Sequence, residues 1–529
     1  MSAEHYDVVV IGGGINGVAI ARECARGGKR VLILEQNDFC SGVTSRSTRI
    51  VHGGLRYLEH GELGLVRESL RERERLRAER PHLVRPLKFL LALGAGGHHN
   101  ALAVRAGLWL YTTLGAGRPT AVDGELDRLE RLLDSGQRWS VFHYDDARCE
   151  FPERLVAEWL REAIEGGAVA RNHTCVLEVE TRDGRAIAVR ARNLLDDSEY
   201  RASADWIINA SGPWADRVCA ASSVRTASPL IGGVRGSHLL VRRFHGVPES
   251  AVYAEAVDGR PIFVVPWIGQ LLVGSTEVRD GDDPATTAPG AAEIDYLFTS
   301  LKRLFPGARL SWKDVQAAFA GVRPLPYSPD DKPSAVTRRH FLHDHSDDGA
   351  RGMISVVGGK LTTAATLARE CARKIGVEVQ EPNLAVAPSA LDIESALTGW
   401  SRAVARRAHL AESSARALAE WHGAGASEIA HAAAMDERLR EPLCEHSPHI
   451  VAEAVAAVRR ECAVTLADIL LRRVPVALGW CWSDACSRAA ARRIGDVLGW
   501  SLSRIARERE AFEEERGGFL KPAETVACR

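Results

Sequence analysis

The chain is 529 residues long and carries 68 lysine and arginine residues against 69 aspartate and glutamate residues, a net charge of −1. Hydrophobic residues make up 46% and charged residues 26% of the sequence, which excludes disordered, collagen-like and polytopic membrane proteins. The length predicts about three or four domains. The neutral balance provides no field that would attract nucleic acid, so no nucleic-acid partner is expected.

The N-terminal segment, MSAEHYDVVVIGGG, is not typical of a secretory signal. An acidic residue precedes its apolar run, and it lacks both a basic region and a small-residue cleavage site. The eleven cysteines are sparse and form no C-x-x-C pair, which favours buried thiols in a reducing compartment and predicts no metal site. We therefore expect a cytoplasmic protein.

Residues 6–35 follow the order strand, glycine turn, helix, strand. An apolar run ends in Gly12, Gly14 and Gly17, and the second strand ends in Glu35, 21 residues after Gly14. Such glycines let the backbone approach a pyrophosphate at the start of a helix, while the carboxylate accepts ribose hydroxyls. The pattern predicts a dinucleotide site. Because the motif has no second copy in the chain, FAD is favoured over NAD.

Residues 40–76, CSGVTSRSTRIVHGGLRYLEHGELGLVRESLRERERL, resemble the FAD-dependent glycerol-3-phosphate dehydrogenases, in which a Ser/Thr-rich loop precedes an HGGLRYLE signature. The resemblance spans residues 6 to about 375, and the tail adds only helical character and TLADILLRR at 465–473. Further matches occur in order at Asp145–Arg148, Asn209–Trp214, Arg235–His238, Gly321–Pro324, Thr337–Arg338 and Gly358–Thr363.

The resemblance implies an α/β fold, with a Rossmann-like FAD-binding domain, an interleaved antiparallel-sheet substrate domain and a C-terminal helical domain. The expected boundaries are 1–80, 140–225 and 321–385 for the FAD domain, 81–139 and 226–320 for the substrate domain, and 390–529 for the helical domain. Two strand-like runs within 231–277, with Gly269 at a bend, are interpreted as a sheet that covers the flavin.

Cofactor contacts are expected from the glycine motif and from the positions that match the family. Ser45 and Ser47 suit a phosphate or a flavin carbonyl, and Lys360 would place a positive charge near the flavin pyrimidine ring. The full set of expected contacts is Gly12, Gly14, Ile15, Asn16, Gly17, Glu35, Gln36, Thr44, Ser45, Ser47, Gly53, Leu55, Val176, Ser211, Gly212, Trp214, Gly359, Lys360, Leu361 and Thr362.

A small phosphorylated polyol needs a fixed cationic clamp, because the phosphate is its strong handle. Arg323 lies at the end of the apolar run QAAFAGVRPL, which is compatible with a structural salt bridge, but the resemblance favours substrate contact. The resemblance adds Arg338, although Arg339 leaves open which arginine faces inward. The remaining expected substrate contacts are Arg56, Tyr57, His238 and Lys360.

Oxidation of a secondary alcohol needs a group that takes the hydroxyl proton. His238 is the expected base, because an imidazole titrates near neutrality. Arg323 could instead polarise the alcohol, so both residues are expected catalytic groups and the choice between them stays open.

The sequence also raises expectations about surfaces and partners. Residues 67–80 predict a charged helix with a solvated face. No window of 18 apolar residues occurs, and the nearest, 101–117, is interrupted by Arg105. That segment makes peripheral contact with the inner face of the cell membrane plausible, with quinone or another acceptor taking the electrons. A homodimer is left open.

The reaction implied by the resemblance is oxidation of sn-glycerol 3-phosphate to dihydroxyacetone phosphate. One alternative is a flavoenzyme of the same fold that acts on a small amino or hydroxy acid, in which the arginines would hold a carboxylate. A second is a nonenzymatic flavin-bound scaffold. Several cationic residues favour phosphate, because one carboxylate needs one guanidinium.

Overall fold

The computed structural model describes residues 4–58, 61–94, 100–115, 124–380 and 387–522. These residues form two β-sheets, a set of helices on the first sheet, and a helical C-terminal region. The expected connector near 380–390 lies largely outside the described residues.

The first sheet is built around parallel strands that are buried on both faces. The run 8–11 is almost fully buried, as expected for a strand covered by helices. The strands of this sheet have the order β16–β17–β9–β1–β2–β6, and β8 pairs with β9 and β7 with β8. The strands are β1 (Glu4–Ile11), β2 (Val31–Leu34), β6 (Val169–Arg171), β7 (Thr174–Arg182), β8 (Arg185–Asn193), β9 (Glu199–Asn209), β16 (Phe341–Asp344) and β17 (Met353–Val357).

The second sheet is largely antiparallel and has the order β18–β15–β10–β13–β12–β11–β4–β5–β3, with β14 beside β10. Its turn at Ile268–Gly269, where both residues have positive φ, is the bend expected at Gly269. The strands are β3 (Ile50–Val51), β4 (Val84–Gly94), β5 (Trp139–Cys149), β10 (Ile231–Arg242), β11 (Ala251–Glu255), β12 (Pro261–Trp267), β13 (Gln270–Gly274), β14 (Val278–Arg279), β15 (Val315–Pro326) and β18 (Lys521–Pro522).

The α-helices fall into three groups. Those on or beside the first sheet are α1 (Ile15–Arg26), α5 (Pro152–Glu165), α6 (Ala215–Ala221) and α8 (Ala364–Lys374), and those near the second are α2 (Leu63–Glu79), α3 (Ala101–Leu114), α4 (Glu125–Leu132) and α7 (Ala291–Leu304). The C-terminal helices are α9 (Ala390–Ala408), α10 (Glu412–His422), α11 (Ala426–Met435), α12 (Val451–Arg460), α13 (Asp484–Leu498) and α14 (Leu502–Phe519).

The expected domain boundaries can be compared with these strands. Boundaries at 140 and 321 fall inside β5 and β15, and both strands lie in the second sheet. Strand pairing therefore assigns 139–149 and 315–326 to the sheet that was expected to hold only 81–139 and 226–320. Long-range strand pairing, which a local sequence pattern does not contain, determines which sheet β5 and β15 join.

The charged helix expected at 67–80 corresponds to α2, and the expectation of a solvated face is wrong for part of it. Glu72 is 2% exposed and Arg73 is 7% exposed. Arg73 Nη1 donates to Asp146 at 2.6 Å, and Arg369 donates to Glu72 at 2.8 Å. These partners come from distant parts of the chain, so they can satisfy charges that would otherwise stay in water.

Buried ion pairs between side chains hold the C-terminal region to the first sheet. Arg473 donates to both oxygens of Asp38 at 2.7 and 2.8 Å, and Arg472 adds a third bond at 2.5 Å. Both arginines lie in a π-helical turn, Asp468–Arg473. His173 Nε2 lies 3.0 Å from Asp468 on the same turn. The tail segment TLADILLRR thus contacts the loop that follows β2.

None of the described helices combines the length and the apolar character that a bilayer-spanning segment requires.

Candidate active site

A cavity of about 840 Å³ lies between the two sheets. One end is lined by the turn after β1 and by Glu35, and the other by side chains from β10 and β15. The volume is within the range of roughly 300–1,000 Å³ found for ligand and cofactor pockets. It is therefore large enough for an extended ligand that reaches from one sheet to the other.

The turn between β1 and α1 can be built only from glycines at two positions. Gly12 has φ +105°, and a Cβ there would lie 2.6 Å from the Ala210 carbonyl oxygen. A Cβ on Gly17 would lie 1.9 Å from the Gly12 oxygen. This close packing places the N-terminus of α1 at the cavity, where its backbone amides and dipole favour an anion. Thr44 Oγ1 accepts one of these amides, from Ile15, at 3.1 Å.

Glu35 follows β2 at the same end of the cavity. Its carboxylate accepts the Gly13 amide at 2.6 Å and the Asn37 amide at 3.0 Å. Burial raises the pKa of the Glu35 carboxyl, while the two backbone amides act to lower it. The two amides fix the carboxylate in place, and its remaining lone pairs can accept hydrogen bonds from the hydroxyl groups of a ligand.

A second glycine turn joins β17 to α8. Gly358 and Gly359 have φ +81° and +101°, and a Cβ on Gly359 would lie 2.3 Å from Asn16 Nδ2. Asn16 Nδ2 donates to the Gly358 oxygen at 3.4 Å. Asn16 Oδ1 is buried and has no hydrogen-bond partner among the described residues. The turn is thus shaped for close approach, with an unsatisfied acceptor beside it.

The loop after β3 is held by a buried network. The Gly53 amide donates to the Tyr111 hydroxyl at 2.8 Å and to Asp146 at 3.2 Å, and Tyr111 donates to Asp146 at 2.8 Å. Arg73 completes the network through its bond to Asp146. Asp146 belongs to the DDAR segment that was singled out in the sequence, and its role is to fix the backbone beside the cavity.

The three residues directly after β13, 275–277, bind two arginine side chains at the other end of the cavity. Arg323 donates to the Ser275 hydroxyl at 2.6 Å and to the Thr276 carbonyl at 3.2 Å. Arg338 donates to Glu277 at 2.8 Å. Both guanidinium groups line the cavity, whereas Arg339 does not. Three consecutive residues therefore orient two cations from separate parts of the chain.

Lys360 is a third cation that lines the cavity. Its ammonium donates to Ser69 at 3.1 Å and lies 4.5 Å from the centre of the Tyr57 ring. Burial lowers the pKa of Lys360 to about 8, an effect that Glu62 and Glu68 oppose and that Arg338 adds to. Lys360 thus carries its charge at neutral pH but titrates within reach of physiological conditions.

His238 lies on β10 and is 2% exposed. Its Nε2 is 2.9 Å from Thr48 Oγ1, and its ring stacks on Phe319 with centroids 4.9 Å apart. Burial, together with Arg323 and Arg49, lowers the pKa of His238 to about 3. Its Nδ1 is buried without a hydrogen-bond partner among the described residues. His238 is therefore neutral, but its pKa lies well below the near-neutral value for which it was expected as the base.

Most of the residues expected at the cofactor line the cavity, and three do not. The Ser45 hydroxyl donates to the Cys40 carbonyl at 2.6 Å and is buried, so it supports the loop. Gly17 packs on Gly12, and Gly53 faces Tyr111. Those that do line the cavity are Gly12, Gly14, Ile15, Asn16, Glu35, Gln36, Thr44, Ser47, Leu55, Val176, Ser211, Gly212, Trp214, Gly359, Lys360, Leu361 and Thr362.

The expected substrate contacts are also brought to one cavity. Tyr57, His238, Arg323, Arg338 and Lys360 line it. Arg56 lies in the short helix Leu55–Leu58, and its side chain falls outside the described residues.

Thr48 and Arg472 are two of the cavity residues that were not predicted from the sequence. Thr48 lies in the expected Ser/Thr-rich loop, but only its contact with His238 distinguishes it from its neighbours. Arg472 also lines the cavity, and the segment TLADILLRR was a usable signal for it. That segment was noted in the sequence without a role.

Two family models together match most of the chain. The family model described as FAD dependent oxidoreductase matches residues 7–371, and the model for the C-terminal domain of alpha-glycerophosphate oxidase matches residues 394–505. A glycerol-3-phosphate dehydrogenase of Synechocystis is 34% identical over 96% of both chains. One from Pseudomonas aeruginosa is 37% identical over 69% of this chain and 70% of its own.

Among solved structures, the glycerol-3-phosphate dehydrogenase from Bacillus halodurans complexed with FAD aligns with a TM-score of 0.75. The alignment covers 98% of this chain and 96% of that one at 24% sequence identity. At this identity the likeness shows the fold.

Proposed function

Because the chain belongs to the FAD-dependent oxidoreductase family and to its glycerol-3-phosphate dehydrogenases, we propose that it oxidises sn-glycerol 3-phosphate to dihydroxyacetone phosphate. The observation that carries the proposal is that Arg323, Arg338 and Lys360 all line the same cavity. A phosphate dianion needs several fixed donors, and these residues supply them.

The residues at the other end of the cavity fit FAD. The N-terminus of α1, the close glycine packing at Gly12 and Gly17, and the carboxylate of Glu35 suit a pyrophosphate and a ribose. The turn at Gly358 and Gly359 packs tightly against Asn16, and Gly359, Leu361 and Thr362 line the cavity, so the backbone of this turn can approach a bound ring system closely. FAD is the cofactor, and when bound it accepts the hydrogen that leaves the substrate carbon as a hydride.

The arginines and Lys360 have distinct tasks in binding. Arg323 is held by Ser275 and the Thr276 carbonyl, so its guanidinium is oriented before substrate arrives. Arg338 shares its charge with Glu277, which limits how much positive charge the site presents without substrate. Lys360 supplies a charge that depends on pH.

We assign the proton to His238. Loss of a hydride from the substrate carbon requires the hydroxyl proton to leave as well, and a neutral imidazole accepts it without first losing one of its own. Thr48 orients the ring through Nε2, and Nδ1 is the ring nitrogen without a hydrogen-bond partner among the described residues. Arg323, always protonated, polarises the hydroxyl or binds the phosphate and does not act as the base.

The alternative substrates remain distinguishable by experiment. An amino or hydroxy acid would need only one guanidinium for its carboxylate, whereas three cations line this cavity. Relatives over most of the chain are glycerol-3-phosphate dehydrogenases, which favours the phosphate.

The test is reduction of the bound flavin without oxygen. We expect glycerol 3-phosphate to bleach the oxidised flavin absorption of the purified enzyme, with dihydroxyacetone phosphate formed one for one. Glycerol and glycine serve as controls that lack the phosphate and the polyol respectively. Bleaching by an amino or hydroxy acid and not by glycerol 3-phosphate would contradict the assignment.

An electron acceptor must reoxidise the flavin, and we propose a quinone in the membrane. Helix α3 supports contact with that membrane, because Leu102 is 75% and Trp109 is 71% exposed. Sedimentation with anionic phospholipid vesicles tests this contact. We expect a Leu102→Ser, Trp109→Ser double variant to lose vesicle binding, and its unchanged binding would exclude α3 as the contact.

A further inference from the structure

Three side chains with metal-binding chemistry meet in the C-terminal region. Cys444 and His446 lie in the loop between the short helix Glu437–Arg440 and α12, and Cys486 is in the first turn of α13. Their donor atoms all lie within 4.8 Å of one another. None of the three lines the cavity, so the cluster is separate from the site described above.

The spacing of these donors is close to that around one tetrahedral ion. His446 Nδ1 lies 3.4 Å from Cys486 Sγ. Zinc–sulfur bonds of about 2.3 Å and zinc–nitrogen bonds of about 2.0 Å place neighbouring donors roughly 3.5–3.8 Å apart. The observed His446–Cys486 distance agrees with that value. The other donor pairs lie within 4.8 Å, so rotation of the side chains is enough to bring them to the same spacing.

The surroundings favour a thiolate at Cys486. Its backbone amide donates to the Ser483 hydroxyl at the N-cap of α13, and that hydroxyl lies 3.3 Å from Cys486 Sγ. Helix N-termini stabilise thiolates.

The cluster is also accessible to an ion. Cys444 and Cys486 are each 2% exposed, whereas His446 is exposed. An ion can therefore arrive from solvent at His446 and end between two buried sulfur atoms. Cys481, half-buried and five residues before Cys486, is a candidate fourth ligand, since its carbonyl already accepts from Cys486 Sγ at 3.7 Å.

We propose that Cys444, His446 and Cys486 bind a zinc ion, with water or Cys481 in the fourth position. Two thiolates and one imidazole are ligands that zinc prefers. The ion would fasten the loop 441–450 to the start of α13. The site is independent of the flavin reaction, so its test does not depend on the substrate assignment.

The first experiment uses the full-length, FAD-loaded protein. The cysteine thiols of the protein are reduced, and a chelator removes any bound metal. The protein is then reloaded with zinc and freed of unbound metal, and elemental mass spectrometry measures the zinc content. We expect one zinc per chain. Cobalt(II) in place of zinc should give the visible absorption of a tetrahedral thiolate site at wavelengths longer than those of oxidised flavin. A protein that retains no zinc under these conditions overturns the proposal.

Variants locate the ion. His446→Ala changes an exposed residue and should preserve the fold, and Cys486→Ser is a near-isosteric change. We expect each to weaken zinc binding by at least about tenfold, because even loss of a group behind a ligand costs about that much. The matched controls are His245→Ala, also exposed, and Cys462→Ser, in the same region of the chain. These should bind zinc as the parent protein does.

A second readout separates binding from structural damage. Zinc should raise the thermal midpoint of the parent protein, because a ligand that binds only the folded state stabilises it. The same addition should not move the midpoint of His446→Ala, whose flavin content should match that of the parent. Stoichiometric zinc binding that survives both His446→Ala and Cys486→Ser would place the metal elsewhere and overturn the assignment.

Discussion

Thr48 Oγ1 lies 2.9 Å from Nε2 of His238, so the Ser/Thr-rich loop and strand β10 of the second sheet meet at the cavity wall. This contact engages Nε2 of the buried imidazole and leaves Nδ1 without a hydrogen-bond partner among the described residues. The loop that follows the dinucleotide motif therefore also orients the expected base.

His238→Asn should slow flavin reduction by about 10²–10⁴-fold, the usual contribution of a general base, with substrate affinity little changed. Because the pKa of His238 is lowered to about 3, the parent enzyme should show no loss of kcat/KM from this residue near pH 6.5. Stopped-flow reduction without oxygen measures the rate. Thr48→Val, which removes the orienting hydroxyl, should give a smaller loss. Equal rates in the parent and His238→Asn would remove the histidine from catalysis.

Arg323→Ala should cost about 2–5 kcal/mol of transition-state stabilisation, as truncation of one partner of a buried charged pair does. This energy corresponds to a fall in kcat/KM of roughly 30- to 4,000-fold. Steady-state kinetics with an artificial electron acceptor measure the loss. Arg182→Ala, at an exposed position, is the control and should behave as the parent enzyme. A near-normal Arg323→Ala enzyme would show that the phosphate binds elsewhere.

Gly236→Ala tests whether the position of Arg323 matters. A Cβ on Gly236 would lie 2.2 Å from Arg323 Nη2, so the guanidinium must move. Misplacement of a positioning group by about 1 Å can cost about 100-fold, and we expect a fall of that order in kcat/KM with normal FAD content. Gly517→Ala, which meets no atom within 4 Å, should have no effect. Normal kinetics of Gly236→Ala would argue against a preset Arg323.

Lys360 should produce a basic limb in the pH profile. Its pKa is lowered to about 8, and only the charged form attracts phosphate, so kcat/KM should fall as pH rises through about 8. Lys360→Arg keeps the charge at high pH and should abolish this limb. The acidic limb from the second ionisation of the substrate phosphate, near pH 6, should be the same in both enzymes. A basic limb that persists in Lys360→Arg would assign it to another group.

Asp38→Asn should loosen the C-terminal region from the first sheet. It leaves Arg472 and Arg473 buried beside a neutral side chain, and breaking a buried ion pair costs about 3–5 kcal/mol. A urea titration followed by flavin release should show the loss. Asp295→Asn, on the exposed face of α7, is the matched control. Unchanged stability of Asp38→Asn would mean that other contacts carry the attachment.

The sequence was sufficient where function depends on local order. The run from β1 through Gly12, Gly14 and Gly17 to Glu35 predicts its own strand, turn and helix, because all the interactions that define it lie within about 30 residues. The helical C-terminal region was predictable for the same reason, since its periodic apolar pattern is local.

The sequence was insufficient where a side chain chooses between partners. Ser45 and Ser47 look equivalent in the loop, yet Ser45 bonds to Cys40 while Ser47 lines the cavity. Glu72 and Arg73 look solvated until Arg369 and Asp146 are brought to them. The Cys444, His446 and Cys486 cluster has no motif at all, because its members approach each other only through the fold.

Strand β18 pairs with β15 at Ala317–Pro522 and Ala318–Lys521, and β15 is the strand that carries Arg323. Residues more than 200 positions apart in sequence thus close one edge of the sheet that forms the arginine end of the cavity. During synthesis this edge stays uncovered until residue 521 has left the ribosome, and an open strand edge can pair with other chains. Contacts this distant in sequence also slow folding.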